Sequence, residues 1–220
     1  HDALPISKFT IDGTWYDTSD LAWRMNEYDE YGVEQAVQVK EQVGDGDLTV
    51  LCIGPDRVKE TMKKALAMGC DRGVHLQNDE SHKKEPMEVA AIIAEFARDK
   101  QFDVVFTGMQ SQDRGSGQVG VLLAEMLEMS CVTTVIEFAF EAGEIKVKRE
   151  LEGGVRAKVK TTTPAVLTCQ LGLNTPRYPT LPNIMKAKKK ELLSSPAADL
   201  LKVDSRQGTE AMYFPEKKGG

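Results

Sequence analysis

The sequence predicts an α/β fold, with a mainly parallel, Rossmann-like sheet flanked by helices and an antiparallel β extension. Two observations predict it. Short apolar runs of strand type alternate with amphipathic helical stretches between residues 26 and 127, the pattern of right-handed βαβ units. Beyond residue 129 the apolar period changes from helical to alternating, which indicates strands with one face in solvent. Ligands of such folds bind outside the carboxyl ends of the parallel strands.

Composition excludes several classes of function. The chain has 220 residues, of which 41% are hydrophobic, so one domain with a substantial core is expected. No apolar run approaches the roughly 18 residues that span a bilayer, so no membrane insertion is expected. The net charge of −6 argues against nucleic acid as a partner. The scattered cysteines indicate a reducing compartment, either cytoplasm or matrix: Cys52, Cys70, Cys131 and Cys169. Of the two we expect a cytoplasmic location of bacterial or archaeal type.

The amino-terminal elements are expected to be a hairpin and a helix. Residues 1–7 fit no element, and residues 8–17 read as a polar hairpin that turns at Asp12-Gly13. Asn26 is expected to cap a helix whose first turn is rich in acids and which Gly44 ends. The inward stripe of this helix is expected to be Val33, Ala36, Val37 and Val43.

Two further strand–helix pairs follow. Residues 48–53 are expected to form a buried strand, and the turn at residues 54–56 leads to a helix that Gly69 ends. The core positions of that helix are Val58, Met62, Ala65 and Leu66. A short strand at residues 74–76 precedes a polar link and a helix over residues 87–98.

The stretch over residues 102–127 joins a strand, a loop of small residues and a helix without interruption. Its apolar strand is expected to end at Thr107-Gly108. Gly115, Ser116 and Gly117 come just before the helix, whose first turn offers unpaired N–H groups. Two interpretations remain open, a phosphate-binding loop and a simple tight turn.

The last third of the chain is expected to add a meander and a proline-rich loop. Strands over residues 132–140, 145–151 and 155–160 form the meander, and residues 165–169 return as a buried strand. The following loop is stiffened by Pro176, Pro179 and Pro182 and carries Leu181 at its tip. The helix after it bears Lys186, Lys188, Lys189 and Lys190, which is typical of a solvated helix face.

That loop carries a resemblance to a known family. The run NTPRYPTLPNIMKAKKK over residues 174–190 resembles the hallmark segment of the electron transfer flavoprotein beta (small) subunit family. Residues 26–36, 65–73 and 108–120 agree with it. The resemblance implies an adenine-nucleotide alpha hydrolase-like domain over residues 8–195, with residues 196–220 starting a C-terminal arm. It also implies a heterodimer with an alpha subunit, FAD shared with that subunit, and AMP or a second FAD in the beta subunit.

The resemblance also implies particular site residues. The cofactor would lie against Asn26, Glu27, Tyr28, Asp29, Ile53, Gly108, Gln110, Ser111, Asp113, Gly115, Ser116, Gly117, Gln118 and Val119. The residues that would dock into a hydrophobic pocket on acyl-CoA or other dehydrogenases are Leu181, Pro182 and Met185.

Two departures from the family pattern bear on these expectations. Family members begin with an apolar strand, which the residues before Phe9 do not supply, and end with an arm that embraces the alpha subunit, so the chain reads as a fragment. The loop is not the aspartate-rich form typical of members that bind AMP alone. Gly117-Gln118-Val119-Gly120 is closer to members that place FAD there, and the choice between AMP and FAD stays open.

The sequence therefore predicts an electron-carrier subunit, with or without a role in flavin-based bifurcation, and not an enzyme with its own catalytic set. His1, His75 and His82 are isolated, Asp113-Arg114 reads as a solvated pair, and no metal site is expected. The rival hypotheses are a nucleotide sensor of the universal-stress type and an ATP-cleaving enzyme of the same broad fold. The apolar Leu181 loop favours the carrier, because a sensor has no need of a dehydrogenase anchor.

Overall fold

A computed structural model describes residues 11–12, 15–16 and 21–213. The helices are α1 Glu27–Val43, α2 Val58–Met68, α3 Pro86–Ala97, α4 Val119–Met126 and α5 Leu181–Ala187. The strands are β1 Ile11–Asp12, β2 Trp15–Tyr16, β3 Thr49–Gly54, β4 Arg72–Gln77, β5 Val104–Gly108, β6 Ser130–Glu141, β7 Glu144–Glu150, β8 Arg156–Thr161, β9 Ala165–Cys169 and β10 Leu192–Pro196. Single 3-10 turns lie at Ser81–Lys83, Glu152–Gly154 and Ala197–Leu200.

The strands form two larger sheets and one small hairpin. The first sheet has the order β10-β4-β3, with parallel pairing throughout. The second has the order β5-β9-β6-β7-β8, in which β5, β9 and β6 are parallel and β7 and β8 antiparallel. The hairpin pairs β1 with β2. The predicted α/β fold with a mainly parallel sheet and an antiparallel extension is confirmed.

Helices cover both faces of the sheets, as the alternating pattern predicts. Apolar residues of α1, α2 and α5 pack with β3 on one face, around the buried Leu66. On the other face α3 packs against β4 around Leu76 and Ile92, and against α4 around Leu123. The meander and β9 enclose a further cluster around Ile145 and Leu167. These layers place the carboxyl ends of β3 and β5 beside the amino end of α1.

Cavities separate β3 from β5. One of about 440 Å³ is lined by residues of both strands, including Leu51 and Val105. A second, of about 790 Å³, lies between the strands towards their amino ends. The residues of β5 are only partly buried, as are those of β3 apart from Gly54, whereas β9 is fully buried. The prediction that β3 and β5 are fully buried strands was wrong. Each is an edge strand of its sheet, and no described strand pairs with the edges by which they face each other.

Other differences from the sequence prediction are local. Val43 is 44% exposed, because the last turn of α1 projects beyond the core. Helix α5 ends at Ala187, so Lys188, Lys189 and Lys190 follow it instead of lying on it. Leu181 begins that helix and is not the tip of a loop. Strand β6 belongs to the parallel sheet as well as the meander, and β10 was not predicted at all.

The hairpin prediction is confirmed in its pairing, since Ile11 pairs with Tyr16 and Asp12 with Trp15. The residues between these strands lie outside the described part of the chain. So do residues 1–7, for which no element was predicted.

Candidate functional site

The first turn of α1 is bound to the loop that follows β5. We call residues 108–118 the nucleotide loop. Gly108 donates its backbone N–H to Oδ1 of Asp29 over 2.7 Å. Asn26 donates its side-chain amide to the carbonyl of Gln110 over 2.9 Å, and its Oδ1 accepts from the backbone N–H of Gln112 over 3.0 Å. Asn26 therefore joins the helix to the loop, although its side chain does not cap the helix.

Two further side-chain pairs strengthen this connection. Gln112 donates to Oε2 of Glu27 over 2.8 Å, and Gln110 donates to the hydroxyl of Tyr28 over 3.2 Å. The sequence-predicted residues Asn26 to Asp29 and the beginning of the nucleotide loop are thus brought together, across more than 80 positions of sequence.

Asp29 is a buried carboxyl at the centre of this connection. Burial raises its pKa above the ordinary value, and the hydrogen bonds from the Asn26 side chain and the Gly108 N–H lower it in part. Both carboxylate oxygens have donors, Gly108 on Oδ1 and Asn26 on Oδ2. Asp29 is therefore a structural acceptor that fixes the start of the loop.

Glycines permit close approach at the first residue of the nucleotide loop and in the first turn of α4, which follows the loop. A Cβ on Gly108 would lie 2.8 Å from Oδ1 of Asp29, and a Cβ on Gly120 would lie 2.6 Å from Cγ2 of Thr168. The second would also lie 2.7 Å from Oγ1 of Thr107, a buried hydroxyl without a hydrogen-bond partner in the structure. Larger side chains would separate the loop from the ends of β5 and β9.

The remainder of the loop is open to solvent. Its exposed members are Asp113, Gly115, Ser116, Gly117 and Gln118, while Ser111 is partly buried and accepts from the N–H of Arg114. Val119 then begins α4, which has no side-chain cap on its first N–H groups. The N–H of Gly115 donates to the carbonyl of Ser111 over 2.9 Å, so it is already used within the loop. Uncapped N–H groups at a helix start, next to glycine and a serine hydroxyl, fit a phosphate.

The 440 Å³ cavity runs from the core to the first turn of α1, and none of residues 108–118 lines it. Asn26 and Asp29 line its polar end, together with Arg24. Cys52 and Pro55 line it from the end of β3, whereas the side chain of Ile53 packs into the core cluster of Leu76. Ile53, one of the cofactor residues expected from the sequence, is therefore not among the residues that line this cavity. A mostly apolar cavity with a few convergent polar groups suits an adenine nucleotide.

A second candidate surface lies on α5 and the loop before it. We call residues 178–185 the docking segment. Leu181 is 73% exposed, Met185 54% and Ile184 41%, and Pro182 is exposed between them. Tyr178, which the sequence analysis did not single out, is 91% exposed. Exposed apolar side chains grouped in this way mark an interaction surface.

Membrane-spanning helices and metal-binding clusters are both absent from the described residues. No helix in residues 21–213 is long and apolar enough to cross a membrane. Among the residues that the structure describes, no group of three metal-ligating side chains is suited to hold an ion.

The fold and the loop at the carboxyl ends of its strands define a Rossmann-like α/β protein. A family model described as "Electron transfer flavoprotein domain" matches residues 14–200. The chain therefore belongs to the electron transfer flavoprotein family, and the family match favours the carrier hypothesis over the universal-stress-type sensor and the ATP-cleaving enzyme.

Similar proteins carry a more particular name. The chain is 40% identical to "Electron transfer flavoprotein subunit beta" of Bacillus subtilis (strain 168), over 89% of this chain and 77% of the relative. It is 34% identical to the protein of that name from Methylophilus methylotrophus, over 94% and 82%. It is 38% identical to the one from Homo sapiens, over 82% and 71%.

Proposed function

We propose that this chain is the small subunit of a heterodimeric electron transfer flavoprotein, paired with an alpha subunit and carrying electrons to or from dehydrogenases. The observation that carries the proposal is the docking segment, whose Leu181 is 73% exposed in a chain of this family. A folded protein that leaves a leucine so exposed on a proline-stiffened segment gains from a partner's apolar pocket. The four cysteines are free thiols, which supports a cytoplasmic location.

The proposed function includes a nucleotide site on this chain. The nucleotide loop and the first turn of α1 would hold AMP or a second FAD, with Ser116, Gly117 and Gln118 at the phosphate. FAD shared with the alpha subunit supplies the electron-accepting chemistry, and the protein sets its position and surroundings. The fit is supported by the exposure of residues 116–118, by the absence of a side-chain cap on α4 and by the cavity beside Asn26.

The residues of the docking segment would act on partner recognition alone. Leu181 and Met185 lie on α5, while the nucleotide loop follows β5, and no hydrogen bond among the described residues joins the two. Truncation of an apolar anchor at an interface commonly costs on the order of 2 kcal/mol, or roughly thirtyfold in affinity. Partner docking and cofactor binding should therefore be separable by mutation.

The test is Leu181→Ala in the full-length subunit, co-expressed with its alpha subunit. An acyl-CoA dehydrogenase reduced by its thioester substrate serves as electron donor. Coupled reduction at low concentrations of the pair should slow sharply, while flavin content and visible spectrum stay unchanged. Leu193→Ala is the matched control, because Leu193 is a 52% exposed leucine on β10, outside the docking segment. An unchanged coupled rate in Leu181→Ala, or an equal loss in the control, would refute the docking role.

A further inference from the structure

Arg177 lies directly before the docking segment and binds two carboxylates of α1. Its Nε donates to Oε2 of Glu34 over 2.8 Å, and its Nη2 donates to Oε1 of Glu34 over 3.0 Å. Nη1 and Nη2 also donate to the two oxygens of Glu41, over 2.6 and 3.0 Å. The backbone N–H of Arg177 donates to Oε2 of Glu34 over 3.1 Å, so main chain and side chain are held together. Planar forked pairs of this kind fix orientation as well as distance.

Glu34 is unusual because it is a buried acid, with a side chain only 4% exposed. Burial alone would raise its pKa, but hydrogen bonds from Arg177 and Gln38 outweigh burial and hold the pKa below its ordinary value. A buried ion pair generally adds little net stability over apolar residues of similar size, whereas it can specify one geometry. The Arg177–Glu34 pair therefore fixes the position of the chain at Arg177.

Further contacts fix the ends of the same stretch. Before Arg177, Asn174 donates to the carbonyl of Tyr31 over 3.1 Å and to Oε1 of Gln35 over 3.3 Å. After α5, Lys190 donates to the carbonyls of Leu66 and Cys70, over 2.9 and 2.6 Å. The stretch is thus attached to α1 at one end and to α2 at the other. Its middle, by contrast, is exposed.

We propose that Arg177 is a positioning residue for partner docking, which holds Tyr178 and Leu181 in the orientation that a partner's pocket accepts. The inference rests on the docking function proposed above and goes beyond it, because Arg177 itself is only partly exposed and acts through its neighbours. An anchor that is oriented before binding loses less conformational freedom when it enters the pocket. Without the forked pairs the segment samples other orientations, and only a fraction of encounters is productive.

The experiment uses the full-length subunit with its alpha partner and an acyl-CoA dehydrogenase reduced by its thioester substrate. Arg177→Gln should raise the apparent KM for the pair about tenfold, at unchanged kcat and flavin spectrum. Arg177→Lys keeps the charge without the fork and should give an intermediate KM. Arg72→Gln is the matched control, because Arg72 forms an exposed ion pair with Asp47 at the start of β4 and should leave KM unchanged.

A direct readout of orientation accompanies the kinetics. Hydrogen exchange should quicken over residues 178–188 in Arg177→Gln and stay unchanged over β9, if Arg177 acts on the docking segment alone. A general rise in exchange with loss of flavin would show a merely structural role and overturn the inference. Should Arg177→Gln fail to fold because Glu34 is left buried and unpaired, Glu41→Gln replaces it. That variant keeps the Glu34 pair and should raise KM by about threefold; an unchanged KM overturns the inference.

Combination with Leu181→Ala separates this inference from the function on which it rests. If Arg177 acts through Leu181, Arg177→Gln should raise KM far less in the Leu181→Ala background than in the wild type. A raised KM in Leu181→Ala with a normal KM in Arg177→Gln would refute the positioning role and leave docking intact. A normal KM in both variants would refute the docking function itself.

Discussion

Single residues in and beside the nucleotide loop have two different functions. Asp29 and Asn26 are occupied by hydrogen bonds within the protein, so their contribution is to hold the loop in place. Ser116 and Gln118 are exposed and lie just before α4, where a phosphate would bind. A substitution at an exposed position should therefore change nucleotide binding with little effect on the fold.

Ser116→Asp tests that distinction. The substitution removes a hydroxyl donor and places a carboxylate beside the expected phosphate, and loss of a hydrogen bond to a charged group alone costs about 1.5–3 kcal/mol. We expect the purified heterodimer to retain much less nucleotide, as measured by chromatography after denaturation. Ser195→Asp is the control, since Ser195 is exposed on β10 and introduces the same charge away from the loop. Full nucleotide content in Ser116→Asp would show that the phosphate lies elsewhere.

At the scale of elements, the packing of α4 on the strand ends determines where the loop lies. Gly120 is buried, and an added Cβ would lie 2.6 Å from Thr168 and 2.7 Å from Thr107. Contacts this short force the helix away from β5 and β9, since the atoms on the other side belong to the core of the sheet. The nucleotide loop would move with the helix.

Gly120→Ala should consequently destabilise the protein by about 1–3 kcal/mol. In a domain of this size each kcal/mol lowers the melting temperature by roughly 2–4 °C. Gly208→Ala provides the control, because an added Cβ there meets no atom within 4 Å. Equal melting temperatures for the two variants, measured by circular dichroism, would contradict the close approach of α4 to the strands.

The elements also show which parts of the fold a sequence can predict. Helices α1 to α4 and strand β9 follow from apolar periodicity, because each must bury one face or both. Strand β10 lacks that signal, since β4 is the only described strand with which it pairs, and it contains two exposed serines and a proline. The partial burial of β3 and β5 also has no local signal, because it depends on what lies beside them in the sheet.

The two candidate sites likewise combine features that the sequence predicts with features that it does not. The glycines and serine before α4 predicted an accessible loop, and the prolines predicted a stiff segment around Leu181. The pairing of Arg177 with Glu34 spans 143 positions, and no local pattern of residues encodes it. Tyr178 was missed for a similar reason, since a tyrosine between two prolines gives no indication of whether it is buried or 91% exposed.

At the scale of the whole molecule, α1 connects the two candidate surfaces. The residue before its first turn and the turn itself bind the nucleotide loop through Asn26 and Asp29. Its middle, through Glu34 and Gln35, holds Arg177 and Asn174, which precede the docking segment. One helix therefore contacts both the proposed nucleotide site and the chain next to the proposed docking surface.

The central claim, that this chain serves as the small subunit of an electron-carrying flavoprotein pair, is tested most directly by co-purification. The full-length chain is expressed alone and together with an electron transfer flavoprotein alpha subunit, and visible spectra and extracted nucleotides are measured. We expect the chain alone to be nearly colourless and the pair to be yellow, with FAD and either AMP or a second FAD. A pair that forms without flavin, or a failure of the two chains to associate, would contradict the account.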